Sequence, residues 1–189
     1  MYGKVNYENQ KFHLIIGLIF IAAFSRIIPH YPNFTPLCAI ALFGSKYFKN
    51  PFISYSIPLL SLWISDLIIN NFILKSYFNN SILFYPGFYW QYGSFILISL
   101  LGRLSLKQLS IPKLFGISIS SSIIFFLISN FGVWINSSIY HKSIVGLIAC
   151  YNAAIPFYFG TLFSSLFYSA FLFGAYEYLR KKVYKLSIK

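Results

Sequence analysis

The sequence predicts an all-α protein, a polytopic six-helix transmembrane bundle whose N-terminus and C-terminus are both cytoplasmic. Hydrophobic residues make up 58 % and charged residues only 10 % of the 189 residues, whereas a soluble domain has about 25 % charged residues. The apolar residues form long uninterrupted runs, which favour helices over the short alternating strands of a membrane β-barrel. The basic residues cluster at the ends of these runs, as the topology of membrane proteins requires.

Six apolar segments are candidates for membrane helices, since one crossing takes roughly 20 apolar residues. In chain order they are 12–29, 34–48, 51–70, 88–106, 113–135 and 157–179, and they predict a single integral membrane domain over residues 1–189. The second segment, FTPLCAIALFGSKYF, is short. Its length alone leaves a full crossing and a re-entrant hairpin open.

Local signals mark both ends of the first segment. The polar stretch MYGKVNYENQK precedes it, and Arg26 and Pro29, rather than a small-residue cleavage site, follow it. The segment is therefore predicted to be a retained helix and not a signal peptide. Pro29 stands where this helix must stop, and Pro36 suits the first turn of the second helix.

The positions of the basic residues predict the topology. If all six segments cross and the N-terminus is inside, the outer loops contain only Lys75 and Lys142. The inner loops and tails then contain twelve basic residues, which are Lys4, Lys11, Lys46, Lys49, Arg103, Lys107, Lys113, Arg180, Lys181, Lys182, Lys185 and Lys189. This asymmetry satisfies the positive-inside rule, and it disappears if segment 34–48 does not cross.

The net charge of +12 does not indicate a nucleic-acid partner. The basic residues form no stripe interleaved with stacking aromatics, because the aromatic residues lie within the apolar runs. The predicted partner of the chain is the lipid bilayer. Tyr85, Trp90 and Tyr92 fall near the proposed outer boundary, where aromatic residues form interfacial belts.

The polar residues within the predicted membrane region lie towards its outer side. Arg26 and Asp66 are the base and the acid at this depth, and Asn130 lies at a similar level of the fifth segment. Ions inside a membrane face the bundle interior and pair with one another, so we expect Arg26 to pair with Asp66. The pair either locks helices one and three together or also faces a ligand, and both interpretations remain open.

The stretch RIIPHYPNFTP, residues 26–36, is predicted to form a rigid rim over an outward-facing cavity. Irregular backbone at membrane depth is tolerated where it is buried in protein or lines a watery cavity. Arg26, His30 and Asn33 would point into that cavity, and a plain tight turn between helices is the alternative. The stretch CYNAAIPF would supply the opposite rim, with Asn152 and Pro156 in turn positions.

The motif NFGVW in the fifth segment suggests a further part of the cavity wall. Trp134 offers a flat face for stacking on a ring, and Gly132 allows a backbone or a ligand to approach closely. Asn130 can hydrogen-bond a solute, or it can bond a neighbouring helix. A purely structural role for Asn130 and an interfacial role for Trp134 remain open.

The chain has no motif of a protease, a phosphate-binding loop or a zinc site, and His13, His30 and His141 lack the spacing of metal ligands. We therefore expect no catalytic residues, no metal and no cofactor. Cys38 and Cys150 both lie near the proposed outer side. A disulfide in an oxidising compartment and two buried free thiols, the commoner arrangement, are both open.

Four stretches, RIIPHYPNFTPLCAIALFG, PLLSLWISD, SNFGVW and GLIACYNAAIPF, resemble a family of small, uncharacterised bacterial six-helix membrane proteins. The likeness covers roughly residues 12 to 178. That family is similar to the substrate-binding S components of energy-coupling-factor vitamin transporters. The resemblance implies a multi-pass protein of the bacterial inner membrane, a vitamin-like solute and an energising transporter module as a partner.

The expected function is binding and transport of a small solute through the outward-facing polar cavity, without enzymatic activity. The candidate solute-binding residues are Arg26, His30, Asn33, Asp66, Asn130, Trp134 and Asn152. Arg26 would contact an anionic or carbonyl group, and Asp66 would hold Arg26. The main alternative is a structural or assembly subunit whose polar residues only lock helices together, and a membrane enzyme using Asp66 and His30 is a third.

Overall fold

The computed structural model describes the backbone of residues 2–75 and 81–187 and the side chains of residues 7–75 and 81–182. The described chain contains six α-helices. They are Tyr2–Phe24 (α1), Leu37–Tyr47 (α2), Pro51–Ile68 (α3), Phe88–Ser105 (α4), Ile111–Asn136 (α5) and Ile144–Ser187 (α6). A 3-10 turn, Ser25–Ile27, follows α1, and a π-helical turn, Ile69–Ile73, follows α3. No strand occurs within the described ranges, so the predicted all-α class is confirmed.

Four of these helical stretches are long and apolar enough to cross a membrane, as expected of a membrane protein. They are Tyr7–Ile27, Pro51–Ile73, Ile111–Asn136 and Ile144–Lys182. With 11 residues, α2 rises about 16 Å, roughly half of the ~30 Å hydrocarbon core. The six-crossing topology therefore remains a prediction, because α2 is too short to cross a bilayer and α4 is not among the four stretches.

The short helix α2 occupies the centre of the bundle and contacts all five other helices. Every residue from Leu37 to Ser45 is buried. Small residues let the neighbours approach: a Cβ on Gly44 would meet Pro58 of α3, and one on Gly102 of α4 would meet Ser45. Close approach at small residues is the usual way in which membrane helices associate.

Serine side chains join α5 to α6 along the interior. Ser118 Oγ donates to Ser169 Oγ at 2.9 Å, and the hydroxyls of Ser121 and Ser165 lie 3.1 Å apart. Ser165 Oγ also donates to the carbonyl oxygen of Ser118 at 2.9 Å. These bonds satisfy polar atoms that lipid cannot satisfy, so the buried serines stabilise helix contacts.

Helix α6 corrects one sequence-based prediction. We predicted a helix over 157–179 preceded by a rim at 150–157, but α6 begins at Ile144 and continues to Ser187. Pro156 therefore lies inside a helix, and Asn152 is not in a turn. The prediction failed because it treated proline as a helix stop, whereas helices in a membrane protein tolerate proline.

Helix α1 differs from its predicted range of 12–29 at both ends. It begins at Tyr2, so the polar N-terminal stretch is helical, and it gives way to the 3-10 turn at Ser25. The second predicted helix, 34–48, corresponds to Leu37–Tyr47, with Pro36 at its N-cap position. Pro36 thus stands immediately before the helix, close to its predicted place in the first turn.

The bundle has two chemically different ends. At the end that we call the basic end, Lys46 Nζ donates to the carbonyl oxygens of Leu106 and Lys107 at 2.6 and 2.9 Å, and Arg103 Nη2 donates to that of Lys49 at 3.2 Å. We call the opposite end, with Asp66, Tyr85 and Trp90, the polar end. Lys142 lies there and contacts Trp134. The side chains of Lys4, Lys185 and Lys189 lie outside the described residues.

Candidate functional site

A buried ion pair joins α1 to α3 near the polar end. Arg26 Nη1 lies 2.8 Å from Asp66 Oδ1, and the two side chains are only 10 % and 7 % exposed. Arg26 Nη1 also donates to Ser65 Oγ at 2.6 Å, and the Tyr92 hydroxyl donates to Asp66 Oδ2 at 3.1 Å. The pairing predicted from sequence is confirmed, and Tyr92 extends it to α4.

Local structure explains why these two residues meet. Arg26 lies in the 3-10 turn that ends the first helical stretch, where the chain leaves the regular helix and the side chain can turn towards α3. Asp66 lies 15 positions after Pro51, so it stands about 22 Å along α3 from the basic end. Both charges are thus at the same depth, where each offsets the cost of burying the other.

A hollow of about 390 Å³ lies at the polar end, between the start of α4 and the end of α5. We call it the α4 hollow. Its lining includes Tyr85, Gly87, Trp90, Gln91, Ser129, Gly132 and Asn136. Gly87 has φ = 82°, a left-handed conformation that glycine adopts without strain, and this turn directs the chain into α4.

The indole of Trp90 packs directly on Gly132. A Cβ on Gly132 would overlap the Trp90 ring, so Gly132 accommodates a side chain rather than a neighbouring backbone. The indole nitrogen of Trp90 is buried and has no hydrogen-bond partner among the described residues. The other two tryptophans differ, since Trp63 donates to the Leu83 carbonyl oxygen at 3.2 Å and Trp134 to that of His141 at 3.0 Å.

Tyr85 connects the α4 hollow with the ion pair. It lines the hollow, and its hydroxyl donates to Gln91 Oε1. Burial, and second the nearby charge of Asp66, raise the pKa of the Tyr85 phenol above its ordinary value. The phenol is therefore neutral and acts as a hydrogen-bond donor. Arg26 Nε, behind it, is a second buried donor without a partner among the described residues.

A smaller hollow of about 180 Å³ brings Asn33 and Asn130 together, with Tyr158 and Thr161 of α6. Asn33 has φ = 60°, which asparagine tolerates better than most residues. Asn130 Nδ2 donates to the carbonyl oxygen of Phe126 at 2.7 Å, so one of its two side-chain N–H groups is already bonded within α5. These two candidates share a cavity that neither Arg26 nor Asp66 lines.

The other candidates line neither of these two hollows. His30 is exposed in the loop between α1 and α2, and Asn152 is exposed on α6. Trp134 contacts the loop between α5 and α6, where its N–H is bonded and Lys142 Nζ lies 5.8 Å from its ring centroid. The cavity that Asn33 lines includes neither Arg26 nor His30, so the expectation that these three residues surround one cavity remains a prediction.

Cys38 and Cys150 are both buried free thiols. Of the two arrangements that the sequence left open, the structure shows the free thiols. No group of three or more His, Cys, Asp or Glu side chains comes together in the parts of the chain that are described.

The close contact between Gly132 and Trp90 yields a prediction. We expect Gly132→Ala to displace the Trp90 ring into the α4 hollow, because the added methyl group overlaps the ring. Overpacking of this kind costs typically about 1–3 kcal/mol. The shift of Trp90 should appear as changed tryptophan fluorescence and faster quenching by a soluble quencher.

Gly116→Ala is the matched control, since it lies on the same helix and a Cβ there meets nothing within 4 Å. That variant should leave the fluorescence unchanged. If Gly132→Ala behaves like Gly116→Ala, the ring does not pack on Gly132 as described.

Sequence reasoning missed the residues of the α4 hollow for an identifiable reason. Trp90, Gln91 and Tyr85 stand at a predicted membrane boundary, and aromatic residues there are expected as interfacial anchors. The sequence contains three tryptophans, and each occurs next to an apolar run. Only the packing of α4 on α5 shows that Trp90 is the one whose N–H is buried without a partner.

Comparison with curated proteins and with solved structures found no match. A family model does match, and it covers residues 6–186, which is nearly the whole chain. The protein belongs to this family, DUF6580, a family of unknown function.

Proposed function

We propose that the protein is a membrane-embedded solute-binding subunit that receives a small molecule in the α4 hollow. The observation that carries the proposal is that Trp90, a residue of the hollow's lining, has a buried indole N–H without a partner among the described residues. An unsatisfied buried donor costs about 1–3 kcal/mol. A solute that presents an acceptor to this N–H would recover that free energy on binding.

The hollow has the dimensions and the lining of a small-molecule site. Its volume of about 390 Å³ falls within the usual range of roughly 300–1,000 Å³. The walls combine the aromatic faces of Tyr85 and Trp90 with the polar groups of Gln91, Ser129 and Asn136. Such walls suit a flat or ring-containing molecule that carries carbonyl or carboxylate groups.

The ion pair has a positioning role in this proposal. Arg26 and Asp66 hold the end of α1 against α3, and Tyr92 ties α4 to the pair. Tyr85 lines the hollow, and the nearby charge of Asp66 contributes to raising the pKa of its phenol. In this proposal Trp90 takes the stacking role that we expected of Trp134, because Trp90 lines the hollow and Trp134 does not.

Transport is the second part of the proposal and is supported by the resemblance to S components. The polar end would face outwards, since the basic residues gather at the other end and such residues remain cytoplasmic. A vitamin-like solute would be captured from outside the bacterial inner membrane, and an energising transporter module would complete its passage. We propose no enzymatic activity.

Native mass spectrometry of the purified protein tests the binding proposal. Wild type should retain a small non-lipid molecule, and Trp90→Phe, which removes only the indole N–H, should weaken its retention about tenfold. Trp63→Phe is the matched control, since Trp63 is bonded to a backbone carbonyl at the same end of the bundle. Absence of any small molecule from wild type, or equal retention by both variants, would contradict the proposal.

A structural role is the second candidate, and the hydrogen bonds around the ion pair favour it. Ser65 and Tyr92 supply further hydrogen bonds to the two charges, so Arg26 and Asp66 lock helices together without a ligand. The protein would then act as an assembly subunit. Co-purification of a stoichiometric protein partner, together with the absence of any small molecule, would support this function instead.

A further inference from the structure

A second large hollow lies at the basic end, far from the α4 hollow, and its lining is cationic. It measures about 590 Å³ and is lined by Lys46, Lys49, Arg103 and Lys107, among others. No carboxylate belongs to its lining. The nearest acids are Glu8, which lies 3.7 Å from Lys49, and Glu177, whose charge acts on Lys46. Four cations facing one hollow create a strongly positive potential there.

Two of the four cations, Lys46 and Arg103, are held in place by hydrogen bonds. Lys46 Nζ donates to two carbonyl oxygens at the end of α4, which leaves one of its three N–H groups free for a ligand. Arg103 donates to the Lys49 carbonyl oxygen and, at 3.4 Å, to Ser54 Oγ, so several of its five N–H groups remain. Fixed donors lose little conformational entropy when an anion binds.

Exposed apolar side chains continue from the hollow along α4. Leu100 belongs to the lining and is 42 % exposed, and Leu104, also in the lining, is 61 % exposed. Phe48 forms part of the wall on the other side. A ligand in this place therefore meets concentrated positive charge at one point and an apolar helix face next to it.

We propose that this hollow binds the headgroup of an anionic phospholipid. The phosphate would contact Arg103, Lys46 and the exposed ends of Lys49 and Lys107, and the acyl chains would lie along Leu100 and Leu104. Basic hollows between membrane helices on the cytoplasmic side are suited to anionic headgroups. The site is independent of the α4 hollow and of the solute bound there.

Titration of purified protein in detergent with phosphatidylglycerol, monitored by native mass spectrometry, tests the proposal. The double variant Lys49→Gln, Lys107→Gln should bind phosphatidylglycerol at least tenfold more weakly than wild type, since each lysine near a headgroup contributes about a fivefold factor. Both side chains are exposed, so the variant should fold. The matched control is Lys181→Gln, Lys182→Gln, which removes the same charge from exposed positions of α6 outside the hollow.

Two further probes complete the experiment. Phosphatidylcholine should bind wild type at least tenfold more weakly than phosphatidylglycerol, and inorganic phosphate at the same concentration should not displace bound phosphatidylglycerol. Equal binding of the two lipids, or equal losses in the two double variants, would overturn the proposal. Displacement by inorganic phosphate would also overturn it, because the site would then recognise free phosphate rather than lipid.

Discussion

Asp66→Ala should destabilise the protein by about 3–5 kcal/mol, the usual cost of removing one member of a buried ion pair. The substitution leaves the Arg26 guanidinium, whose side chain is only 10 % exposed, without its counter-ion. It also leaves the Tyr92 hydroxyl without its acceptor. Denaturant unfolding in detergent micelles, followed by loss of helical circular dichroism, measures the change in unfolding free energy.

A double variant distinguishes the contribution of the ion pair to stability from the contributions of the two side chains taken singly. Arg26→Met combined with Asp66→Leu removes both charges and keeps apolar volume, so it should be more stable than Asp66→Ala alone, because no uncompensated charge stays buried. If Asp66→Ala is as stable as wild type, the two charges do not depend on each other. The same follows if the double variant loses as much unfolding free energy as Arg26→Met and Asp66→Leu lose together when each is measured singly.

Tyr92→Phe removes one hydrogen bond to the pair and should lower the unfolding free energy by about 1–3 kcal/mol.

Gly160→Ala is expected to have the second large effect, because α6 touches the loop between α1 and α2 at this residue. An added Cβ would overlap the Pro32 carbonyl oxygen and would lie 3.3 Å from Tyr31 Cδ1. The obstacle is backbone, which cannot move away by changing a rotamer. We expect a loss of about 1–3 kcal/mol in unfolding free energy, the range for overpacking, measured by the same denaturant titration.

Gly174→Ala is the control on the same helix, since nothing lies within 4 Å of a Cβ there. Alanine is the better helix former by up to about 1 kcal/mol, so this variant should be unchanged or slightly more stable. Effects of the same sign and size in the two variants would show that the loop does not pack on α6 at Gly160.

The fold class and the ion pair could be predicted because both follow from the same constraint. Lipid cannot satisfy backbone groups or charges, so long apolar runs must be helical. For the same reason, Arg26 and Asp66, which lie at the same depth, are expected to form an ion pair. The predicted grouping of lysines and arginines is visible in the contacts of Lys46 and Arg103, while the orientation that the positive-inside rule assigns to this end remains a prediction.

The course of α2 and α6 could not be predicted, because the deciding interactions are tertiary. The stretch Leu37–Tyr47 looks like a short membrane helix, and only its contacts with every other helix reveal it as the core. Pro156 looks like a helix boundary. The helix nevertheless continues through it, because the surrounding structure tolerates the lost hydrogen bond.

The hollow that we propose as the site is not lined by the side chains chosen from the sequence, whose role in binding remains a prediction. Its lining comes from residues 85–91 and 129–137, two stretches that are distant in sequence. Nothing in the local sequence distinguishes Trp90 from Trp134. They differ in whether a carbonyl oxygen lies near the indole N–H, which depends on how α4 packs against α5.

The indole N–H resonances of the nitrogen-15-labelled protein test the central claim most directly, because each of the three tryptophans reports separately. Spectra are compared before and after extraction of the co-purified small molecule, with the Trp90 resonance assigned from Trp90→Phe. We predict that the Trp90 resonance moves while those of Trp63 and Trp134, already bonded to Leu83 and His141, stay in place. A Trp90 resonance that does not change on extraction would contradict solute binding in the α4 hollow.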